Sequence, residues 1–428
     1  MSDLWLQDPR DALRVGEGFD LSAFDRAGTP GFTGDKAAAA TLMAERGALL
    51  SELQERLYAN GRSGGTRNVL VIVQGLDTAG KGGIARHVMG MVDPQGVALR
   101  SFGVPTAEER SHHYLWRIKK ALPRPGLIGL FDRSHYEDVL VVRVDELVPP
   151  EVWEPRYNEI NKWEKSLVDN GTIVLKFAMM VSHGEQGMRL MERIDRPDKR
   201  WKYSVNDLPT RLKWDDYQQA YSDVFERTST EYAPWYVLPA DRKWYPRLAV
   251  TEILTRSLIE MDLRWPKPRW RPDAQRRRLV KTMTPEQLAA SLAETASTVQ
   301  GAIDESVDVN LEAAKIRDGH ADQETRDSDL ATIASRRSDL ETDLATTLEQ
   351  KRALLEELSP ELAAASAAIV DEGTKKKGKK SGKGKDSSAA EEPSKKKSAK
   401  KQSTKKKSGK KSEDKAKKAE KKKAKKGK

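Results

Sequence analysis

The stretch NVLVIVQGLDTAGKGGI, Asn68 to Ile84, decides the fold. Val69 to Val73 are all apolar, three of them valine, which predicts a short buried strand. A glycine-rich turn from Gly75 to Gly83 follows, and the spacing of Ile84, Val88 and Met91 is then helical. Strand, turn, lysine and helix in that order form a phosphate-cradling P-loop, whose phosphate-binding residues would be Gly75, Gly80, Lys81 and Gly82. The glycines let backbone N–H groups face a polyanion, the helix start adds partial positive charge, and Lys81 sets a full charge against the phosphoryl group that moves. The match is specific because it is wedged between a valine-rich strand and a helix.

One position departs from the usual pattern. Ser or Thr normally follows the lysine and binds magnesium, and here that place is Gly82. Either the site holds no metal or another residue supplies the oxygen. Asp77, inside the loop, is the obvious replacement, since hard divalent cations prefer carboxylate oxygen. The plainer reading of Asp77 is a turn-former, a role Asp favours in any loop.

Charge divides the chain before any other motif does. The net charge is +11 over 428 residues, but residues 375–428 hold 26 lysines against 6 acidic residues. The other 374 residues carry 50 basic and 59 acidic groups, so the folded part is mildly acidic and the excess positive charge sits in a tail. With no cysteine, disulfides and thiolate metal sites are excluded. The opening MSDLWLQDPRDALRVGEGFD has no basic start followed by an apolar core, and no apolar run approaches the ~20 residues needed to span a bilayer. The expectation is a soluble cytoplasmic protein that does not engage the membrane.

Outward from the loop, strands and helices alternate. Residues 1–36 lack a sustained period and read as a mostly extended arm. Ala37 to Asn60 is helical in pattern, with Leu42, Leu49, Leu53 and Leu57 on one face. Beyond the loop, Val97 to Phe102 reads as a strand and Ala107 to Leu122 as a helix carrying His112 and His113, a pair better suited to packing or phosphate contact than to a metal. Leu127 to Phe131 is another apolar run, ending in Asp132-Arg133-Ser134. An acidic residue at a strand end is where P-loop enzymes hold the metal's water shell, and Arg133 beside it suits two-pronged phosphate binding; the alternative for Asp132 is a helix cap or surface carboxylate. Trp153 to Asn170 reads as an amphipathic helix, Thr172 to Val181 and Pro234 to Pro239 as strands, and Leu248 to Leu263 as a closing helix. The alternation implies an α/β fold with a parallel sheet flanked by helices, whose ligands bind at the carboxyl ends of the strands.

Residues 183–230 differ from the rest. The stretch RLMERIDRPDKRWKYS is dense in Arg and Lys, including Arg189 and Arg193. Beside a P-loop it suits a helical lid that brings arginines onto phosphates and excludes water. The alternative is a solvated hairpin whose charges pair with Glu185, Glu192, Asp195 and Asp198.

GLDTAGKGG, FDRSHYEDVLVVRV, DRPDKRWKYS and APWYVLPADRKWYPRLAV, in this order, resemble the polyphosphate kinase 2 family, and its polyphosphate:nucleotide phosphotransferase branch more closely. The resemblance covers about residues 35–265. It implies a thymidylate-kinase-like P-loop kinase fold and phosphoryl transfer between inorganic polyphosphate and nucleotides, AMP or ADP becoming ADP or ATP, with Mg2+. Carried over by motif, Asp77 resembles the loop aspartate that works with the metal, Lys81 the loop lysine on the phosphates, and Arg133 the phosphate-contacting arginine. Glu137 lies where the branch has an acidic residue near the acceptor, and Arg189 and Arg193 fall where lid arginines reach the phosphate chain. Asp132 departs from the pattern: the SHYEDVLVVRV continuation often goes with asparagine there, and aspartate belongs to the ADP-using branch. A further carboxylate favours a second metal or a more negative pocket, so both acceptors stay open.

The expected organisation is an arm over 1–36, a catalytic domain over 37–271, a helical acidic-leaning extension over 272–373, and a disordered Lys-rich tail over 374–428. In the extension, Leu330, Ile333, Leu340, Leu344, Leu348, Leu355 and Leu358 make an apolar stripe interrupted by Arg337 and Lys351. It suits a coiled coil, a helix packed on the catalytic domain, or a partly ordered helix. The tail is too poor in apolar groups to fold and would bind polyphosphate or nucleic acid, or serve as a spacer. The rival readings of the whole chain are an ATP-dependent nucleotide kinase and a nucleic-acid-associated P-loop protein. A homo-oligomer is compatible with the sequence.

Overall fold

The apolar runs build the centre of the molecule. The computed structural model describes residues 4–319 and 322–364. Five strands, β1 (Asn68–Gln74), β2 (Val97–Ser101), β3 (Ile128–Asp132), β4 (Thr172–Met180) and β5 (Trp235–Pro239), form a parallel sheet in the order β2-β3-β1-β4-β5. β1 lies in the middle with every residue buried. Its register sets Val73 opposite Asp132 of β3 and Gln74 opposite Ala178 of β4, so the turns after β1 and β3 emerge side by side at one sheet edge.

Parallel strands need crossover connections, and the helices in them cover both faces of the sheet. The helices Lys36–Arg62 and Trp244–Glu260 enclose one core with Val69, Val71 and Val73. The helices Arg156–Asp169 and Trp214–Thr228 close the other, around Leu70, Ile72 and Phe131. Continuous rather than alternating hydrophobicity in β1 is the direct consequence.

Three segments differ in detail from the sequence expectations. The N-terminal arm carries a short helix, Pro9–Leu13, and is pinned down: buried Trp5 packs on Phe32 and Tyr245, and Val15 donates its N–H to the Trp235 carbonyl at 2.9 Å. The helix expected over Ala107 to Leu122 is two pieces, Ala107–Arg110 and Leu115–Lys120. The first starts on a capping box between Thr106 and Glu109, and the chain leaves helical geometry at Ser111 to His113. Pro155 likewise separates a short turn, Pro150–Trp153, from Arg156–Asp169.

The extension forms helices Pro272–Val280, Pro285–Arg317 and Gln323–Leu358. The two long ones run antiparallel, as the pairs Lys351 Nζ to Ser291 Oγ at 2.7 Å and Arg337 Nη2 to Asp304 Oδ1 at 3.0 Å require. The hairpin lies on the helix Lys36–Arg62 rather than apart from it: Arg46 Nη1 reaches Glu312 Oε1 at 2.8 Å, Arg56 Nη1 reaches Asn310 Oδ1 at 2.8 Å, and Ile316 joins the main core. The expected disorder of the Lys-rich tail over 374–428 lies outside the described residues.

Candidate active site

The turn after β1 has to reverse sharply under the sheet edge, and its glycines permit that. Gly75 has φ +152° and Gly80 φ +111°; a Cβ on Gly75 would stand 2.7 Å from the Met179 carbonyl. At these two turns, two of the four described non-glycine residues with positive φ occur, Thr78 at φ 69° after β1 and Arg133 at φ 63° just past β3. Strained backbone of this kind persists where surrounding contacts over-determine it. Arg133 N–H is tied to the Val73 carbonyl at 3.0 Å, so the strain is set by pairing between the two strand ends.

The side chains converge at that mouth. Lys81 folds back over the turn, donating to the Gly75 carbonyl at 2.5 Å and the Leu76 carbonyl at 3.3 Å. Arg133 Nη2 donates to Asp77 Oδ1 at 2.9 Å, and its Nε lies 3.9 Å from Glu137 Oε2. Asp132 is half-buried at the end of β3 and faces the same two cations electrostatically. Three carboxylates and two cations thus share one small volume. Burial lowers the Lys81 pKa, and Arg133 adds to that against the pull of Asp77, Asp132 and Glu137. Burial pushes the Glu137 carboxyl up, with Arg133 and Lys81 opposing. For Arg133 burial is outweighed by Glu137, Asp77 and Asp132, which hold it firmly protonated.

The two lid-region arginines are placed differently. Arg189 is buried and committed to backbone: its Nη1 donates to the Thr78 carbonyl at 2.9 Å and its Nη2 to the Ala240 and Asp241 carbonyls at 2.8 Å, while Nε pairs with Glu185 at 2.7 Å. It fastens the turn to the helix His183–Asp195 and to the chain just past β5. Arg193 stands further out, against the Lys202 carbonyl at 3.1 Å and Asp207 Oδ2 at 3.3 Å. Residues 183–230, expected as a lid, hold the α-helices His183–Asp195, Asp207–Leu212 and Trp214–Thr228 and the short 3-10 turn Arg200–Lys202, and the last helix packs into the core rather than standing apart from it. Several of its charges pair internally, as Arg196 does with Glu192 at 3.1 Å and Asp198 at 2.7 Å.

Sequence reasoning passed over the residues that hold these groups still. Fully buried Gln74, with its amide turned so that each end meets its complement, donates to Glu137 Oε1 at 2.9 Å and accepts from Ser134 Oγ at 3.0 Å. Gln186 Nε2 donates to the Asp77 carbonyl at 3.3 Å. Below the mouth, β4 places Lys176 in the interior, where its Nζ donates to Glu164 Oε2 at 2.7 Å, the Thr228 carbonyl at 2.8 Å and the Tyr136 hydroxyl at 2.9 Å. Glu164 also accepts from Tyr136 at 2.9 Å and meets His135 Nε2 at 3.2 Å. His135 and Tyr136 belong to the turn His135–Asp138 that carries Glu137, so this network fixes that turn from beneath. The signal for it is in the sequence: Lys176 is the one charge in TIVLKFAMM.

The donor chemistry suits a hard cation. Asp77 and Asp132 offer carboxylate oxygen only, and among the described residues no group of three His, Asp or Glu could enclose a metal. An ion here would have to share substrate phosphates and water, which is how magnesium is ordinarily held. No helix among the described residues is long and apolar enough to cross a membrane.

Comparison with known proteins follows the same outline. Residues 34–265 match the family model for polyphosphate kinase 2. The chain is 47% identical over 250 residues to the AMP/ADP-polyphosphate phosphotransferase of Meiothermus ruber, a match covering 58% of this chain and 92% of that protein. It is 42% identical over 230 residues to the ADP-polyphosphate phosphotransferase of Rhodopseudomonas palustris, covering 51% and 78%. The crystal structure of polyphosphate kinase 2 from Arthrobacter aurescens TC1 is similar with a TM-score of 0.63 and 48% identity, over 65% of this chain and 98% of that one.

Proposed function

The chain belongs to the polyphosphate kinase 2 family, and from that premise we propose that it transfers phosphoryl groups between inorganic polyphosphate and adenine nucleotides at the mouth formed by Asp77, Lys81, Asp132, Arg133 and Glu137. The observation that carries this site is the meeting of the two strand-end turns, with Arg133 Nη2 on Asp77 Oδ1 at 2.9 Å beside Lys81. Cations and metal-suited carboxylates interleave there, as a substrate made of phosphates requires.

The polyphosphate end lies along the turn Gly75–Lys81, where backbone N–H groups and Lys81 take its oxygens. Asp77 and Asp132 would hold magnesium, which when bound draws charge from the phosphate oxygens. An oxygen of the nucleotide's terminal phosphate attacks the end phosphorus of the chain in line, a P–O bond forms, and the bond to the next phosphate breaks with its electron pair leaving on the shortened chain. The nucleophile is already anionic, so no general base is needed. Positioning and charge stabilisation supply the acceleration. Arg133, kept protonated by its three carboxylate neighbours, is suited to span donor and acceptor oxygens. Glu137, held by Gln74, orients Arg133 and borders the acceptor. Arg189 acts through the loop it fastens, and Arg193 is the lid cation free to swing inward from its longer contacts.

Lys81→Ala and Asp77→Ala should each abolish transfer while circular dichroism and thermal unfolding stay close to wild type. Retention of a tenth of the wild-type rate (a factor of ten being about 1.4 kcal/mol of barrier) by either variant overturns the assignment.

A further inference from the structure

Carboxylates surround the cations at the mouth, but not two arginines just beyond it. Arg86 is exposed near the end of the helix Lys81–His87, and Arg247 is half-buried in the first turn of the helix Trp244–Glu260. Neither makes an ion pair or a side-chain hydrogen bond to any described residue. Burial and then the Arg86 charge disfavour the protonated form of Arg247, and burial followed by Arg247 and Arg86 does the same to His87. Lys243, one turn before Arg247, is exposed and faces Arg189 and Lys199, with Glu192 and Glu185 opposing them. A partly desolvated guanidinium beside like charges, with no anion of the chain to meet it, costs stability as it stands.

The intervening backbone points the same way. A Cβ on Gly83 would lie 3.5 Å from Arg247 Nε and Nη2, in ordinary contact. At Gly82 the surroundings are open, with nothing within 4 Å of a Cβ, and its φ is not left-handed. Neither turn geometry nor packing within the chain demands glycine there. A ligand drawn closely over the bare backbone would.

We propose that Arg86 and Arg247, reached across Gly82 and Gly83, form an outer phosphate subsite that grips the polyphosphate chain several units beyond the reacting bond. The inference rests on the polyphosphate reading above and adds a chain-length preference to it. With a helical rise of ~1.5 Å per residue, Arg86 lies about 7.5 Å along the axis from Lys81, so short donors seated at Lys81 fall short of it and longer ones reach. The grip acts on donor binding, leaving the chemical step to the inner site.

The test is steady-state transfer by the full chain over a series of donors from tripolyphosphate to long-chain polyphosphate, comparing wild type with Arg86→Gln, Arg247→Gln and the double substitution. The double variant should raise KM for long donors about tenfold or more, as loss of charge-assisted phosphate contacts implies. KM for tripolyphosphate, KM for the nucleotide and kcat should not move, and the unfolding midpoint should be unchanged or higher because like charges have been removed. The same fold-change at every donor length, or none at any length, overturns the subsite. Wild-type protein that turns over no donor of any length overturns the polyphosphate reading itself, and the subsite with it.

Discussion

Lys81 at the mouth of the site and Lys176 in the sheet beneath it are both lysines whose charged form burial disfavours, yet they are satisfied in opposite ways. Lys176 is fully buried, and its three donors end on Glu164, the Tyr136 hydroxyl and the Thr228 carbonyl. Lys81 gives its donors to two carbonyls of its own turn, while Asp77, Asp132 and Glu137 stand around it without a direct ion pair among the described residues. A charge closed off by the chain's own groups is part of the scaffold. A charge resting on backbone carbonyls, beside carboxylates that also face Arg133, is not closed off in that way. The same distinction separates Arg189, spent on the Thr78, Ala240 and Asp241 carbonyls, from unpaired Arg86 and Arg247.

The largest expected effect that sharpens this contrast is in the scaffold. Removing one member of a buried pair leaves the other uncompensated, which typically costs 3–5 kcal/mol, roughly, whereas replacing both by apolar groups is often near neutral. Glu164→Leu alone should therefore lower the urea unfolding midpoint strongly, and Glu164→Leu with Lys176→Met should recover most of the loss. If the double variant is no more stable than the single, the network is not a self-contained unit.

A smaller effect concerns acid. Burial lowers the His135 pKa, ahead of the opposing pull of Glu164. Below its unfolded value of about 6.5 the unfolded chain takes up a proton that the folded chain refuses, so His135 lends its stability in full above that pH and loses it as pH falls toward the folded value. Glu164 acts in the same direction at lower pH: burial alone would raise its carboxyl pKa, but Lys176 and His135 outweigh it and hold it below the usual range. Urea midpoints measured from about pH 7 down to about pH 5 should fall for wild type and fall less steeply for His135→Gln. An unaltered slope in the variant would place the acid sensitivity elsewhere.

Much of the fold was legible because β1, β3 and β4 are built on apolar runs of strand length bounded by turns, broken in β4 by Lys176, a pattern that parallel burial favours. Of the candidate site, the convergence was legible where a motif dictates it: Asp77, Lys81, Asp132, Arg133 and Glu137 all lie at the two turns that the β1–β3 register brings together. What could not be read were contacts decided by packing between distant segments. Arg189 was read for its charge alone, and its partner carbonyls at Thr78 and Ala240 are 111 and 51 residues away, where carbonyls leave no trace in composition. Gln74, Ser134 and Gln186 are polar residues whose positioning roles exist only once β1, the turn after β3 and the lid base adjoin. The break at Ser111 to His113 had no glycine or proline to announce it. In the extension, Arg337 and Lys351 looked like interruptions of a stripe, whereas they cross-link the hairpin through Asp304, Ser291 and Thr295.

All of these readings meet in one claim, that the loop closing on Lys81 takes its phosphoryl group from polyphosphate. Purified full-length protein incubated with magnesium, long-chain polyphosphate and AMP or ADP, in the complete absence of ATP, tests it most directly. Appearance of the next higher phosphorylated adenine nucleotide, at a rate that Lys81→Ala reduces at least tenfold, is the predicted result. A nucleotide pool that stays unchanged until ATP is added, or product formed equally by Lys81→Ala, would contradict it.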